Sequence, residues 1–508
     1  MGVFLFLTID QGTSSSRALL FDDKFNVIDV FQKKFKQIYL NESWVEHNPN
    51  EIFESVVSCC EKILKGRNSK KILSIGITNQ RETIVVWDNK TGKPLYNAIV
   101  WQDKRTSELC NNLKNDGLED TINKKTGLLL DPYFSATKIA WILDNVDGVR
   151  KKAKNGQVCF GTIDTWLIWK LTNGKTFATD VTNASRTSLF NIKEMQWDRE
   201  LLDIFKIPFH CLPEVKACDD YYGDTEILSR SIKITGVIGD QQSSAIGQFC
   251  FEEGDLKSTY GTGCFVLANT GNKIIYSNKK LLTTISCKIN NDVSYALEGS
   301  IFMAGGLMNW MQSNLKLFKN ISETSKLASS VNPSSNVIIV PAFSGLGAPH
   351  WSPNSRGAIY GLTQDTGRSE LIHSSLQAIS LQTYDLLEAF REDFESNSIS
   401  LSNFLSIDGG MIENDWFVKN LADITNFNIL KAYTKESTAL GASLVSGIGI
   451  GYYKGFDNIK SLTNMSNKLQ STIDKNLRKL IGNRIYGCLL YTSPSPRDLS
   501  TSRMPSSA

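Results

Sequence analysis

Short β-branched runs alternate with amphipathic stretches along the whole chain. Strand-like runs lie at 3–9, 17–21, 72–78 and 83–87 in the first half, and at 258–260, 265–268, 337–341 and 404–407 in the second. Apolar residues recur with the spacing of one helix face at 52–64, 137–143, 369–394 and 415–424. Because the two kinds of segment alternate rather than forming separate blocks, the pattern predicts an α/β fold.

The two halves of the chain also share a local motif. Residues 8–13 read Thr-Ile-Asp-Gln-Gly-Thr and residues 258–263 read Ser-Thr-Tyr-Gly-Thr-Gly, so each half places a Gly/Thr turn directly after a strand. The repetition indicates two lobes, each with its own phosphate turn, although such turns also recur by chance. We therefore predict an N-terminal lobe at 1–250 and a C-terminal lobe at 251–486, with a cleft between them.

Composition narrows the class of protein. The chain has 508 residues, 41% of them hydrophobic, and its 55 basic and 52 acidic residues leave a net charge of only +3. Such a balanced charge argues against a nucleic-acid partner. No uncharged apolar stretch is long enough to span a membrane, so we expect no membrane insertion. The ten cysteines form no Cys-x-x-Cys pair, so we expect neither a zinc site nor a disulfide framework, and a cytoplasmic protein. Residues 487–508 are rich in Ser and Pro and are expected to be a disordered or non-native tail.

The first candidate site follows the first predicted strand. Asp10 ends that strand, Gly12 allows close backbone approach, and Thr13, Ser14 and Ser15 supply hydroxyl groups. A carboxylate held at a strand end can order a hydrated Mg²⁺, and the turn can meet phosphate oxygens. The alternative is an ordinary hairpin turn.

A second group of residues suits a polyol. Arg81 and Glu82 place donors beside acceptors between two predicted strands, and a hydroxyl group needs both. Trp101 and Phe265 can form an apolar wall against a carbon chain. The alternatives are a surface ion pair and two core aromatics.

Asp240 follows the Gly-containing segment 236–239 and precedes a run of small residues. It is either a helix cap or a carboxylate that accepts a hydroxyl proton while Gln241 orients the substrate. Further Gly-rich turns at 261–263, 305–306 and 408–410 suit a nucleotide, but the chain has no Walker A pattern and no protein-kinase motif set.

Taken in this order, these residues resemble the FGGY family of carbohydrate kinases, over residues 3 to about 486. Two signatures are present, at 133–145 and at 357–377, and the segment Asn79-Gln80-Arg81-Glu82 favours glycerol over pentoses within the family. The resemblance implies two actin-like, ribonuclease-H-like lobes that close on their substrates. It also implies ATP-dependent phosphorylation of glycerol to sn-glycerol 3-phosphate with Mg²⁺, by a homodimer or homotetramer. An enzyme for another polyol or sugar is the nearer alternative, and an actin-like ATPase the more distant one.

The resemblance assigns roles residue by residue. It implies that Asp240 is the catalytic base and that Asp10 lies near Mg²⁺. Glycerol is expected to contact Arg81, Glu82, Trp101, Tyr133, Asp240, Gln241 and Phe265, and the nucleotide is expected to contact Thr13, Ser14, Ser15, Arg17, Thr262, Gly305, Asn309, Gly410 and Asn414. Residues 222–233 lack the Gly-Gly-Arg loop that binds fructose 1,6-bisphosphate in regulated relatives, so we expect no such regulation.

Overall fold

A computed structural model describes residues 4–41, 43–66, 71–226, 228, 231–332, 335–352 and 354–462, together with the backbone of residues 468 and 469. The predicted tail at 487–508 lies outside the described residues.

Strands and helices alternate as predicted. The strands are β1 Leu5–Gln11, β2 Ser15–Asp22, β3 Val27–Lys34, β4 Ile38–Tyr39, β5 Val45–His47, β6 Ile72–Asn79, β7 Ile84–Asp88, β8 Ala98–Ile99, β9 Val158–Thr162, β10 Ala178–Asp180, β11 Phe190–Asn191, β12 Gln196–Trp197, β13 Glu214–Lys216, β14 Gly223–Asp224, β15 Lys233–Gly239, β16 Leu256–Tyr260, β17 Cys264–Gly271, β18 Leu282–Ile289, β19 Asp292–Ile301, β20 Ile338–Val340, β21 Ala358–Tyr360, β22 Phe404–Asp408, β23 Asn428–Lys431 and β24 Lys468–Leu469. The helices are α1 Pro49–Leu64, α2 Ser107–Asn115, α3 Glu119–Thr126, α4 Ser135–Asn145, α5 Val149–Lys154, α6 Ile163–Leu171, α7 Val181–Ala184, α8 Arg199–Phe205, α9 Asp240–Gly247, α10 Gly305–Ser313, α11 Glu323–Ser329, α12 Arg368–Ser396, α13 Asp415–Thr425, α14 Ser437–Gly449 and α15 Phe456–Ser461, with 3-10 turns at Phe209–Cys211 and Gly410–Glu413.

The helix predicted at 52–64 shows why the local pattern was informative. Asn48 caps α1 by accepting a hydrogen bond from the backbone N–H of Asn50, and Pro49 occupies the first turn, where its missing N–H costs nothing. Ile52, Val56 and the residues that follow them on the same face are buried. The helices predicted at 137–143, 369–394 and 415–424 are likewise confirmed, as α4, α12 and α13.

The two main sheets repeat one topology. In the first, β3, β2 and β1 are antiparallel neighbours, and β6 and then β15 continue the sheet parallel to β1. In the second, β19, β17 and β16 are antiparallel neighbours, and β22 and then β23 continue it parallel to β16. The predicted α/β class is thus confirmed, and the two Gly/Thr turns occupy equivalent positions, between β1 and β2 and between β16 and β17.

Two helices join the halves of the molecule. α9 follows the first sheet and contacts β16 and β17 of the second, whereas α14 follows the second sheet and packs on β1, β6 and β15 of the first. The helices also pack against each other at glycines: a Cβ atom at Gly441 would lie 1.8 Å from the Ser243 carbonyl oxygen, and one at Gly247 would lie 1.8 Å from that of Ser437. Only glycine permits backbones to approach so closely.

None of the helices in the described ranges is long and apolar enough to cross a membrane. The described cysteines are free and buried.

Candidate functional site

The turn after β1 has the geometry of a small, rigid loop. The backbone N–H of Gly12 donates to the carbonyl oxygen of Ser15 at 2.9 Å, which closes the turn between β1 and β2. Asp10 is buried at the end of β1, and its Oδ2 accepts from Nε of Arg17 at 3.1 Å. Arg17 also forms an ion pair with Glu436, at the start of α14. The predicted phosphate residues are therefore held at a junction between the two halves.

Arg81 and Glu82 lie in the turn between β6 and β7, where they are only 2% and 1% exposed. The interpretation of this pair as a surface ion pair is therefore wrong. Glu82 has φ of +60°, a left-handed conformation that is uncommon for a residue with a side chain. Such backbone strain is concentrated at functional sites, where the surroundings hold it in place.

A buried charge network surrounds this turn. Glu298 on β19 accepts two hydrogen bonds from Arg81, at 2.6 Å from Nη1 and 3.0 Å from Nη2, and a third from Nη2 of Arg186 at 3.1 Å. Nε of Arg186 donates to Oε1 of Glu82 at 2.5 Å, and Nη1 of Arg81 donates to Oε1 of Gln242 at 3.2 Å. Two cations and two anions from both halves thus fix the position of Arg81.

The charges in this network hold one another ionised. Burial alone would raise the pKa of Glu298, but the guanidinium groups of Arg186 and Arg81 outweigh it and lower that pKa to about 2. Sequence analysis missed both Glu298 and Arg186. A glutamate directly after the apolar pair Ala296, Leu297 was the available signal, because a buried carboxylate requires partners.

Asp240 is the first residue of α9, and its Oδ1 lies 3.2 Å from Nε of Arg81. Its side chain is 29% exposed, so the carboxylate is accessible from the cleft although protein surrounds it. Burial is the main cause that raises its pKa to about 6; Arg81 and Lys257 oppose this shift, and Glu82 and Asp10 contribute to it. A carboxylate with such a pKa can exchange a proton near neutral pH.

The predicted aromatic residues converge on the same place. Trp101 makes edge-to-face contacts with Tyr133 and Phe265, with ring centroids 5.5 and 6.5 Å apart. Nε1 of Trp101 donates to Oγ1 of Thr13 at 3.0 Å, which links this wall to the first phosphate turn. Burial raises the pKa of Tyr133, so its hydroxyl group stays protonated and can donate. Gln241 adjoins this region and contacts Lys257.

A cavity of about 950 Å³ lies in the second half of the molecule. Five of the predicted nucleotide residues line it, namely Thr262, Gly305, Asn309, Gly410 and Asn414. The other four, Thr13, Ser14, Ser15 and Arg17, are not among its lining residues and lie in the first turn and at the start of β2. A volume of this size suits a nucleotide-sized ligand. The turn between β1 and β2 would then contact the phosphates of that ligand.

We expect Gly305→Ala to raise the KM for ATP by roughly fivefold or more, because an added Cβ would lie 2.6 Å from the Gly261 carbonyl oxygen and displace the turn that carries Thr262. Steady-state kinetics with ATP as the varied substrate measures this effect. Gly367→Ala is the control, since its Cβ meets nothing closer than 3.4 Å. An unchanged KM for ATP in Gly305→Ala would contradict the assignment of this cavity to the nucleotide.

Comparison with known proteins gives a consistent result. Residues 5–247 match the N-terminal domain, and residues 256–450 the C-terminal domain, of the FGGY family of carbohydrate kinases. The chain is 48% identical over 483 residues to a glycerol kinase of Sinorhizobium fredii, covering 94% of this chain and 97% of the relative. It is 49% identical over 452 residues to a glycerol kinase of Shewanella baltica, covering 88% and 91% of the two chains.

Solved structures agree with this result. The Plasmodium falciparum glycerol kinase with ADP superposes with a TM-score of 0.89 at 39% identity, covering 97% of this chain and 99% of the other. A gluconate kinase from Lactobacillus acidophilus has a TM-score of 0.85 at 20% identity, covering 99% of each chain, and supports the fold alone. The predicted actin-like, ribonuclease-H-like architecture is confirmed, and the chain belongs to the FGGY family of carbohydrate kinases.

Proposed function

We propose that the protein transfers the γ-phosphoryl group of ATP to a terminal hydroxyl group of glycerol, giving sn-glycerol 3-phosphate and ADP. The observation that carries the proposal is the buried arrangement of Arg81, Glu82 and Asp240 beside the aromatic wall. It supplies fixed donors, fixed acceptors and one partly exposed carboxylate, which is what a small polyol requires. Glycerol kinases of bacteria and of Plasmodium falciparum resemble the chain over almost its whole length.

In this reaction Asp240 accepts the proton of the attacking hydroxyl group as its oxygen bonds to phosphorus. Glu82 accepts from the substrate and Arg81 donates to it, so that one hydroxyl group is directed at the phosphoryl group. Trp101, Tyr133 and Phe265 cover the carbon chain and exclude water, which would otherwise accept the phosphoryl group. The residues predicted to contact the nucleotide hold ATP, from its adenosine end to its phosphates.

We also propose that Asp10 holds hydrated Mg²⁺ with the ATP phosphates. A hard carboxylate oxygen fits this ion, which keeps several waters and needs only one or two carboxylates. The described residues contain no group of three or more His, Cys, Asp or Glu side chains that could form a protein-only metal site, so the phosphates would complete the coordination. When bound, the ion neutralises charge on the phosphates. The predictions of a cytoplasmic location and of a homodimer or homotetramer stay predictions.

The deciding experiment is ADP release by the purified protein with Mg-ATP and glycerol, xylulose, gluconate or no acceptor. We expect release that depends on glycerol. Release with xylulose or gluconate instead would retain the fold and reassign the substrate. Release that is indifferent to every acceptor would favour an actin-like ATPase.

We expect kcat/KM for glycerol to fall as the pH is lowered through about 6, because Asp240 must be ionised to accept a proton and its pKa is raised to about 6. One unit below that pKa the ionised fraction is about a tenth, so activity at pH 5 should be roughly tenfold below its plateau. Rates between pH 5 and 8 at saturating Mg-ATP provide the measurement. A flat profile over this range would argue against Asp240 as the base.

We expect Arg81→Lys to raise the KM for glycerol by about tenfold or more while changing the KM for ATP by less than about twofold. Lysine keeps the charge but cannot reproduce the two parallel hydrogen bonds to Glu298 and the contact with Asp240 together. The reciprocal control is Arg17→Lys, which should act on ATP rather than on glycerol. If Arg81→Lys weakened ATP alone, the assignment of the two substrates to the two regions would be wrong.

A further inference from the structure

Lys257 on β16 is a completely buried lysine close to the proposed glycerol site. Its Nζ donates to Oε1 of Gln241 at 2.6 Å, to Oγ1 of Thr259 at 3.1 Å and to the carbonyl oxygen of Phe265 at 3.4 Å. An ammonium group has three N–H donors, and three neutral oxygens therefore use all of them. The contact with Gln241 is the shortest of the three.

This contact determines which way the amide of Gln241 faces. A lysine ammonium group only donates, so the Gln241 atom that lies 2.6 Å from it has to be the oxygen. The amide nitrogen Nε2 is then directed away from Lys257. Among the described residues no hydrogen bond engages that nitrogen, and Gln241 is partly exposed beside Asp240. The two N–H donors of Gln241 thus have no protein partner among the described residues.

We infer that Lys257 is a positioning residue that fixes the amide of Gln241 so that it presents donors, and not an acceptor, to a substrate hydroxyl group. The inference rests on the proposed function, in which Gln241 contacts glycerol. Asp240 and Glu82 can only accept hydrogen bonds when they are ionised, so the donors to glycerol have to come from other residues. A freely rotating Gln241 amide would present its oxygen as readily as its nitrogen and would not be a fixed donor. With Lys257 in place, Arg81 and Gln241 donate while the two carboxylates accept.

Gln241→Glu tests this inference without removing the lysine. The new carboxylate keeps a partner for Lys257 and nearly the same shape, but it replaces the Nε2 donors by an acceptor oxygen beside Asp240. We expect the KM for glycerol to rise by about tenfold or more, because a substrate hydroxyl group then faces an unmatched acceptor. The KM for ATP and the melting temperature should stay close to those of the original protein.

Lys257→Met and Gln241→Ala complete the test as a double-mutant cycle. Each single variant is expected to raise the KM for glycerol by about fivefold to tenfold, and the double variant should show no further rise, because both remove the same oriented donor. Lys273→Met is the matched control, since Lys273 is exposed and pairs only at the surface with Glu253. Thermal unfolding of each variant separates a loss of fold from a loss of glycerol binding.

The outcomes distinguish the inference from the proposed function. If Gln241→Ala weakens glycerol binding but Gln241→Glu does not, the amide orientation is irrelevant and the inference is overturned. Additive effects of Lys257→Met and Gln241→Ala would overturn it as well. If neither Gln241 variant alters glycerol binding while ADP release still depends on glycerol, the function stands and the roles of Gln241 and Lys257 both fail.

Discussion

Asp240→Asn should lower kcat by at least about 100-fold, since a positioned base typically contributes a factor of 10² to 10⁴. The asparagine side chain has almost the same shape and can still face Nε of Arg81, but it cannot accept a proton from the hydroxyl group. Affinity for ATP should change little, because Asp240 is not among the residues that line the nucleotide cavity. Single-turnover rates of phosphoryl transfer, with ADP binding measured by calorimetry, separate the two quantities.

The matched control for this prediction is Asp292→Asn. Asp292 is an exposed residue at the start of β19, and its replacement removes a carboxylate without touching the cleft. Its kcat should stay within about twofold of the original value, as expected for a surface substitution. Near-normal turnover in Asp240→Asn would remove Asp240 from the role of base and would direct attention to Glu82, the other carboxylate predicted to contact glycerol.

Glu298→Gln is expected to destabilise the protein by about 3–5 kcal/mol, the usual cost of removing one partner of a buried ion pair. Both Arg81 and Arg186 would lose the carboxylate that neutralises them, and both side chains are almost fully buried. The KM for glycerol should rise in the same variant, because Arg81 would lose the acceptor that fixes its guanidinium group. Urea unfolding and glycerol kinetics measure the two effects.

Glu253→Gln provides the comparison for this variant. Its partner Lys273 lies 3.3 Å away and both side chains are well exposed, so the loss should be below about 1 kcal/mol. Equal stability of the two variants would show that the two arginines are neutralised by other groups, and the network would then not depend on Glu298.

The residues that sequence reasoning found share a local signal. Asp10 lies at the end of one strand and Gly12 and Thr13 follow it, while Arg81 and Glu82 follow another strand, so strand prediction alone places them at sheet ends. The interpretation of Asp240 as a helix cap is wrong, because Gly239 occupies the cap position and Asp240 is the first helical residue. Only the fold could exclude the cap, and the role of Asp240 as the base stays a prediction.

The residues that sequence reasoning missed act over long separations. Glu298 reaches Arg81 across 217 positions and Arg186 reaches Glu82 across 104. No local periodicity carries information about such pairs, because burial and partner choice depend on how the two sheets come together. Lys257 was missed for a similar reason, since a lysine within a short strand gives no sign of complete burial.

Helix α14 comes from the second half of the chain but packs on the sheet of the first half, and this affects how the chain folds during synthesis. α14 covers the first sheet so closely that a Cβ atom at Gly76 would lie 2.2 Å from the Ala442 carbonyl oxygen, and Thr235 donates to the Ser446 carbonyl oxygen at 2.9 Å. The ribosome completes the main strands of that sheet about 200 residues before it completes α14, a delay of roughly 10–40 s at ordinary elongation rates. During this time an apolar sheet face is without its cover, and the nascent chain would be a natural client for a chaperone.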